Sequence, residues 1–83
     1  MSWERHLFTV GERYRVRKGF VSGTTRFNLG EIVVFERDGY SYYDNCFAYE
    51  FRDPSDGQLK TWWVHEDAPT DEWKEYFEPA QLE

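Results

Sequence analysis

A thiol at Cys46 and an imidazole at His65 are the residue types from which a nucleophile and its base can be built. Both fall on segments that read as neighbouring strands, so the two can meet. Such a site also needs a third group to orient the histidine, and a chain this small has little room for a water-excluding pocket. Cys46 reads better as a small hydrophobe packed beside Ala48, and no catalytic residue is assigned. Metal chemistry is equally poorly served. His65, Glu66 and Asp67 are consecutive, and consecutive residues at a strand end point to opposite sides. With no Cys-x-x-Cys and no histidine pair four apart, neither a metal nor another cofactor is expected.

Arg13, Arg15, Arg17, Lys18 and Arg26 form the one basic stretch, and single-strand binders do combine such residues with exposed rings. The formal net charge, however, is −6. Residues 1–42 hold 7 Lys+Arg against 5 Asp+Glu, while residues 43–83 hold 3 against 11. A phosphate backbone needs clustered cations, so nucleic acid is not the expected partner.

The aromatic residues carry the most information. Four Trp, six Tyr and seven Phe exceed what one core of 83 residues readily hides. Tyr40, Tyr42 and Tyr43 crowd one segment. Trp62 and Trp63 are adjacent on a strand, so one faces in and the other out. Around them lie Asp44, Glu66, Asp67, Asp71, Glu72, Glu75 and Glu78. Tyr and Trp anchor protein interfaces, and clustered carboxylates steer toward basic surfaces. The expectation is a small acidic interaction protein, not an enzyme, binding a basic protein surface. Its concrete form is an inhibitor, immunity or phage anti-defence protein that presents carboxylates where phosphates would sit. Two alternatives stand beside it: a domain stacking a sugar or nucleotide on Trp62 or Trp63 with Tyr43, and an accessory module of a bacterial complex. The blander possibility is that Trp73, Tyr76 and Phe77 cover the surplus rings and that the acids are only a solvated surface.

These residues must be positioned by one domain, residues 1–83, because two cores cannot be built at this length. One cysteine, no 18-residue apolar run and no apolar signal-like start point to a reducing, cytoplasmic setting. Alternation over Arg13–Val16 predicts a strand with Tyr14 and Val16 inward. Residues 18–29 read as a long, partly packed loop. A second strand spans 31–37 and ends at the turn signal Asp38-Gly39, followed by an aromatic loop at 40–45. A third strand spans 46–52 with Phe47, Tyr49 and Phe51 on one face. The Asp53–Gly57 stretch is a tight turn, and a fourth strand runs from Leu59 to His65. Thr70 is placed to cap a short helix with Asp71 and Glu72 in its first turn, which Pro79 stops. Tyr14, Val16, Phe35, Phe47, Tyr49, Phe51 and one of the paired tryptophans should fill the interior. The fold class is mainly β: a small SH3-like barrel, or a strongly bent antiparallel sheet of four or five strands with a short C-terminal helix.

Two stretches carry resemblances. Phe27-Asn28-Leu29-Gly30-Glu31-Ile32-Val33-Val34-Phe35 resembles the diverging turn of SH3 domains, and Trp62-Trp63 resembles their paired tryptophans. Here the pair follows the 53–57 turn instead of preceding it, so no peptide-binding residue is carried over. Nearly the whole chain is similar to a family of small bacterial domains of unknown function. The likeness rests on the Gly30-Glu31 strand, on Gly39-Tyr40-Ser41-Tyr42-Tyr43-Asp44 and on Thr61-Trp62-Trp63-Val64-His65. It implies a bacterial or phage origin and no activity.

Overall fold

The computed structural model describes residues 7–80. Strand β1 (Arg13–Val16) alternates exposed arginines with buried Tyr14 and Val16, as its pattern requires. It pairs antiparallel with β4 (Ile32–Ser41), which continues through β5 (Cys46–Arg52) and β6 (Leu59–His65) as a meander. The final strand, β7 (Phe77–Pro79), returns to the other side of β1. The five-stranded sheet therefore runs β6-β5-β4-β1-β7, with β2 (Phe20–Ser22) and β3 (Thr25–Phe27) forming a separate hairpin. The sheet bends without closing into a barrel: β6 and β7 remain its edges. No helix among the described residues is long and apolar enough to cross a membrane.

Three local expectations are corrected. Asp38-Gly39 is not a turn but lies inside ten-residue β4, with Gly39 opposite Ala48 and Tyr40 opposite Phe47. The reason is β5, whose buried Phe47 and Tyr49 need a partner strand of matching length. A bulge between Phe35 and Arg37 re-aims the strand so that Tyr40 reaches Phe47, ring centroids 5.0 Å apart. The turn moves on to Tyr42–Asn45, where Asn45 adopts a left-handed φ of 53°. Second, the 18–29 loop contains the β2–β3 hairpin. Phe20 and Phe27 stand opposite each other with stacked rings at 4.8 Å, and Gly23 turns the chain at φ +59°.

The third correction concerns the C-terminal segment. The helix α1 is a single turn, Trp73–Tyr76, entered through Glu72 with no side-chain cap from Thr70. Phe77 then leaves the helix (φ −133°, ψ 154°) and opens β7. Pro79 sits in that edge strand, where a missing N–H costs little. The 53–57 turn is as expected. Asp53 Oδ1 accepts from the Ser55 N–H (2.8 Å) and hydroxyl (2.7 Å), and these bonds hold its carboxyl below the usual range.

One core lies on one face of the sheet. Tyr14, Val16, Phe35, Phe47, Tyr49, Phe51 and Trp62 are all buried in it, joined by Phe27, Val33, Val64 and Phe77. Phe8, which no periodicity marked, sits at its centre. Its ring meets those of Tyr14, Phe35, Tyr49, Phe51, Trp62, Trp73 and Phe77 with centroids 5.0–6.1 Å apart. At one end, Lys60 points inward from β6. Its ammonium is 2.5 Å from Glu31 Oε2 and donates to the Arg26 carbonyl at 3.0 Å, tying β6 to β3 and to the approach to β4.

Candidate functional site

The β4–β5 turn presents the tyrosines unequally. Tyr43 is 99% exposed and Tyr42 largely so, with the Tyr42 ring edge-on to Tyr40 at 5.1 Å. Tyr40 is a strut. Its ring packs on Phe47 and its hydroxyl donates to the Glu66 carboxylate. That carboxylate, as acceptor, favours the protonated phenol, and its charge adds to the effect, so Tyr40 is pushed up to about 12. The Glu66 N–H in turn donates to the Asn45 carbonyl at 2.9 Å, which holds the acidic segment after β6 beside the tyrosine turn.

Tyr40 thus gives a pH prediction. A phenol whose folded-state pKa lies above the unfolded value stabilises the fold below pH 10, and that contribution is lost as pH rises toward 12. Wild type should therefore lose thermal stability relative to Tyr40→Phe between pH 10 and 12. Melting curves across that range check it, and parallel profiles would remove Tyr40–Glu66 from the account.

Tyr42, Tyr43, Asp44, Glu66 and Asp67 consequently gather at one end of the sheet. Asp71 and Glu75 are exposed on the segment that follows. Glu72 is half-buried and lines, together with Trp63, a groove of about 390 Å³. Trp62 and Trp63 divide as alternation demands: Trp62 is 4% exposed in the core and Trp63 44% exposed. Any stacking platform on this strand is therefore Trp63. Glu78 is not brought to this group. It lies in β7 at the opposite edge, 3.3 Å from Arg15 and 3.9 Å from Arg17.

The remaining candidates take other places. Arg17 donates to the Lys74 carbonyl, and Lys18 lies 4.6 Å from the centre of the Tyr76 ring, so these cations are engaged within the fold. Arg26 lies on the separate hairpin, opposite Val21. Cys46 and His65 do stand opposite each other on β5 and β6. Burial, with Asp44 and Glu66 nearby, pushes the Cys46 thiol up, which disfavours the nucleophilic thiolate. Its S–H faces the Asp44 carbonyl at 3.2 Å. His65 Nδ1 accepts from the Asp67 N–H, and among the described residues no three His, Cys, Asp or Glu side chains converge to hold a metal.

The helix stripe does cover part of the aromatic surplus. Trp73 and Tyr76 pack on the core and Phe77 enters it, yet Trp63, Tyr42 and Tyr43 stay exposed. Phe20, Ser22 and Gly23, which form one wall of the Trp63 groove, escaped sequence reading. Their signal was the symmetric placing of Phe20 and Phe27 about Gly23-Thr24.

No protein-family model matches this chain, and no curated protein is similar to it. Its fold is similar to that of an integron cassette protein from the mobile metagenome of Vibrio cholerae. The TM-score is 0.72 at 15% identity, covering 95% of this chain and 92% of that one. The likeness shows a shared fold with a small bacterial protein.

Proposed function

We propose that this chain is a protein-interaction module that docks a basic surface of another protein through one acidic, aromatic end. The supporting observation is the coincidence of exposed aromatic rings with clustered carboxylates. Tyr42, Tyr43 and Trp63 are solvent-facing, Asp44 and Asp67 lie at the tyrosine end, Glu72 shares a groove with Trp63, and Asp71 and Glu75 are exposed on the same acidic segment. Large exposed rings supply anchoring area at low entropic cost, while the carboxylates repel nucleic acid and attract cationic surfaces. Glu78, already engaged by arginines, is left out of this face. The narrower form of the reading is an inhibitor of a nucleic-acid-handling protein, whose phosphate-binding cations would meet this row of carboxylates.

The test is capture from bacterial lysate at about 50 and about 500 mM salt, which respectively leave and screen exposed charges. The variant carries Asp67→Asn, Asp71→Asn, Glu72→Gln and Glu75→Gln. A basic protein should be retained at low salt only, and the variant should bind it about 10-fold or more weakly with a flatter salt dependence. Retention indifferent to both salt and variant would overturn the electrostatic reading.

A further inference from the structure

The groove beside Trp63 is built by contact between the β2–β3 hairpin and the edge strand β6. The Trp63 N–H donates to Ser22 Oγ at 2.8 Å, fixing the hairpin tip against the strand. Gly23 lies beside the indole, where a Cβ would make ordinary van der Waals contact, 3.4 Å from Cδ1 and 3.5 Å from Nε1. Glycine at this tip serves the left-handed turn, at φ +59°. Phe20 and Tyr76, with ring centroids 4.6 Å apart, supply further aromatic wall, and Glu72 supplies a carboxylate. Among the described residues no cationic side chain pairs with Glu72.

The chemistry of this lining selects its occupant. The Glu72 carboxylate in the lining repels phosphates and other anions. Aromatic faces attract cations, and the fold already uses this once by laying Lys18 over Tyr76. Lys18 is not part of the groove lining, and Trp63 is 44% exposed. A volume of about 390 Å³ is at the small end for ligand sites and suits one long side chain. A guanidinium meets both demands, because it is flat enough to stack on a ring and carries a donor fork that matches a carboxylate. Ammonium groups, as hydrated point charges, meet only the second demand well.

We infer that the groove between Trp63 and Glu72 receives an arginine side chain of the partner protein, its guanidinium stacked on the indole and hydrogen-bonded to the carboxylate. This rests on the docking reading above for the source of the arginine, and adds the site and the residue type.

The probe is a capped Gly-Arg-Gly peptide titrated into the full-length ¹⁵N-labelled chain, following the Trp63 indole N–H. Capped Gly-Lys-Gly and the citrulline analogue of the arginine peptide run in parallel. The arginine peptide should shift that signal saturably, with a Kd in the millimolar range. Lysine should bind about 3-fold or more weakly, and citrulline, which keeps the shape and loses the charge, should not saturate. Glu72→Gln should raise the arginine Kd about 5-fold or more, and Trp63→Ala should abolish binding. Glu72→Gln alters a half-exposed carboxylate and keeps the test valid should the tryptophan variant misfold. An equal response to citrulline, no localised shift, or indifference to Glu72→Gln would overturn the inference. Should the four-acid variant lose a captured partner while Trp63→Ala and Glu72→Gln singly leave it bound, the docking face stands and the groove assignment falls. Arginine-selective shifts with no protein captured would instead support the groove and remove the docking reading.

Discussion

Phe8→Ala should remove a large share of the chain's stability, moving its urea midpoint well below that of the parent. Truncating a buried phenylalanine costs about 3–5 kcal/mol, and domains have about 0.05–0.15 kcal/mol of stability per residue. For 83 residues that is about 4–12 kcal/mol, so the loss removes a large share of the stability and, at the lower bound, all of it. Phe8 is also the ring on which the strands and the helical turn converge, touching Tyr14, Phe51, Trp62, Trp73 and Phe77. The cavity cannot be filled by collapse of one neighbour without disturbing others. Urea denaturation followed by far-UV circular dichroism is the measurement. A midpoint shift worth less than about 1 kcal/mol would show that the core closes without this ring.

The second large effect is expected at the inward-pointing cation. The Lys60 and Glu31 side chains are only 11% and 16% exposed, and the ammonium also satisfies the Arg26 carbonyl. Lys60→Met keeps the apolar stem, near the Phe27 ring, but removes the cation from a largely buried carboxylate and the donor from the Arg26 carbonyl. Breaking such a pair from one side costs about 3–5 kcal/mol, whereas removing both charges often costs far less. Lys60→Met should therefore be more destabilising than Lys60→Met with Glu31→Gln, in which the carboxamide oxygen can still accept from the Asn28 N–H. The double-mutant cycle should return a coupling of at least about 1 kcal/mol. Additive effects would mean that the pair is solvated and contributes little.

These two residues also mark where sequence reading ran out. Alternation placed Tyr14, Val16, Phe47, Tyr49 and Phe51 correctly because each lies on a strand with one buried face. It also split Trp62 from Trp63. Phe8 lies outside any strand, where period carries no information, and only the closed core reveals its place. Lys60 is a charge on the buried face, so a pattern rule assigns it to water; its partner, Glu31, is 29 residues away. Asp38-Gly39 failed as a turn because pairing along the whole of β5 outweighed a two-residue preference. The three-residue strands of the β2–β3 hairpin are too short for periodicity to distinguish from loop. Of the candidate site, Tyr42, Tyr43, Asp44, Asp67 and Glu72 were legible as types and positions. Which tyrosine was a strut and which acid was already taken were not, because both depend on partners such as Glu66 and Arg15 that are distant in sequence.

The strand order also has a consequence in time. β1 is flanked by β4 on one side and by β7, the last strand of the described chain, on the other. Synthesis proceeds from the N-terminus, so the meander of β4, β5 and β6 can assemble by local hairpins while the far edge of β1 waits for residues 77–79. An unpaired edge is a template for strands of other chains. Arg13 and Arg15 on β1, and Arg17 just after it, place like charges along that edge during the wait. When β7 arrives it brings Glu78, which pairs with Arg15 and Arg17. Two of the arginines that looked like a binding strip thus find their partner in the chain's own last strand, and like charge on an unpaired edge is a known guard against pairing with other chains.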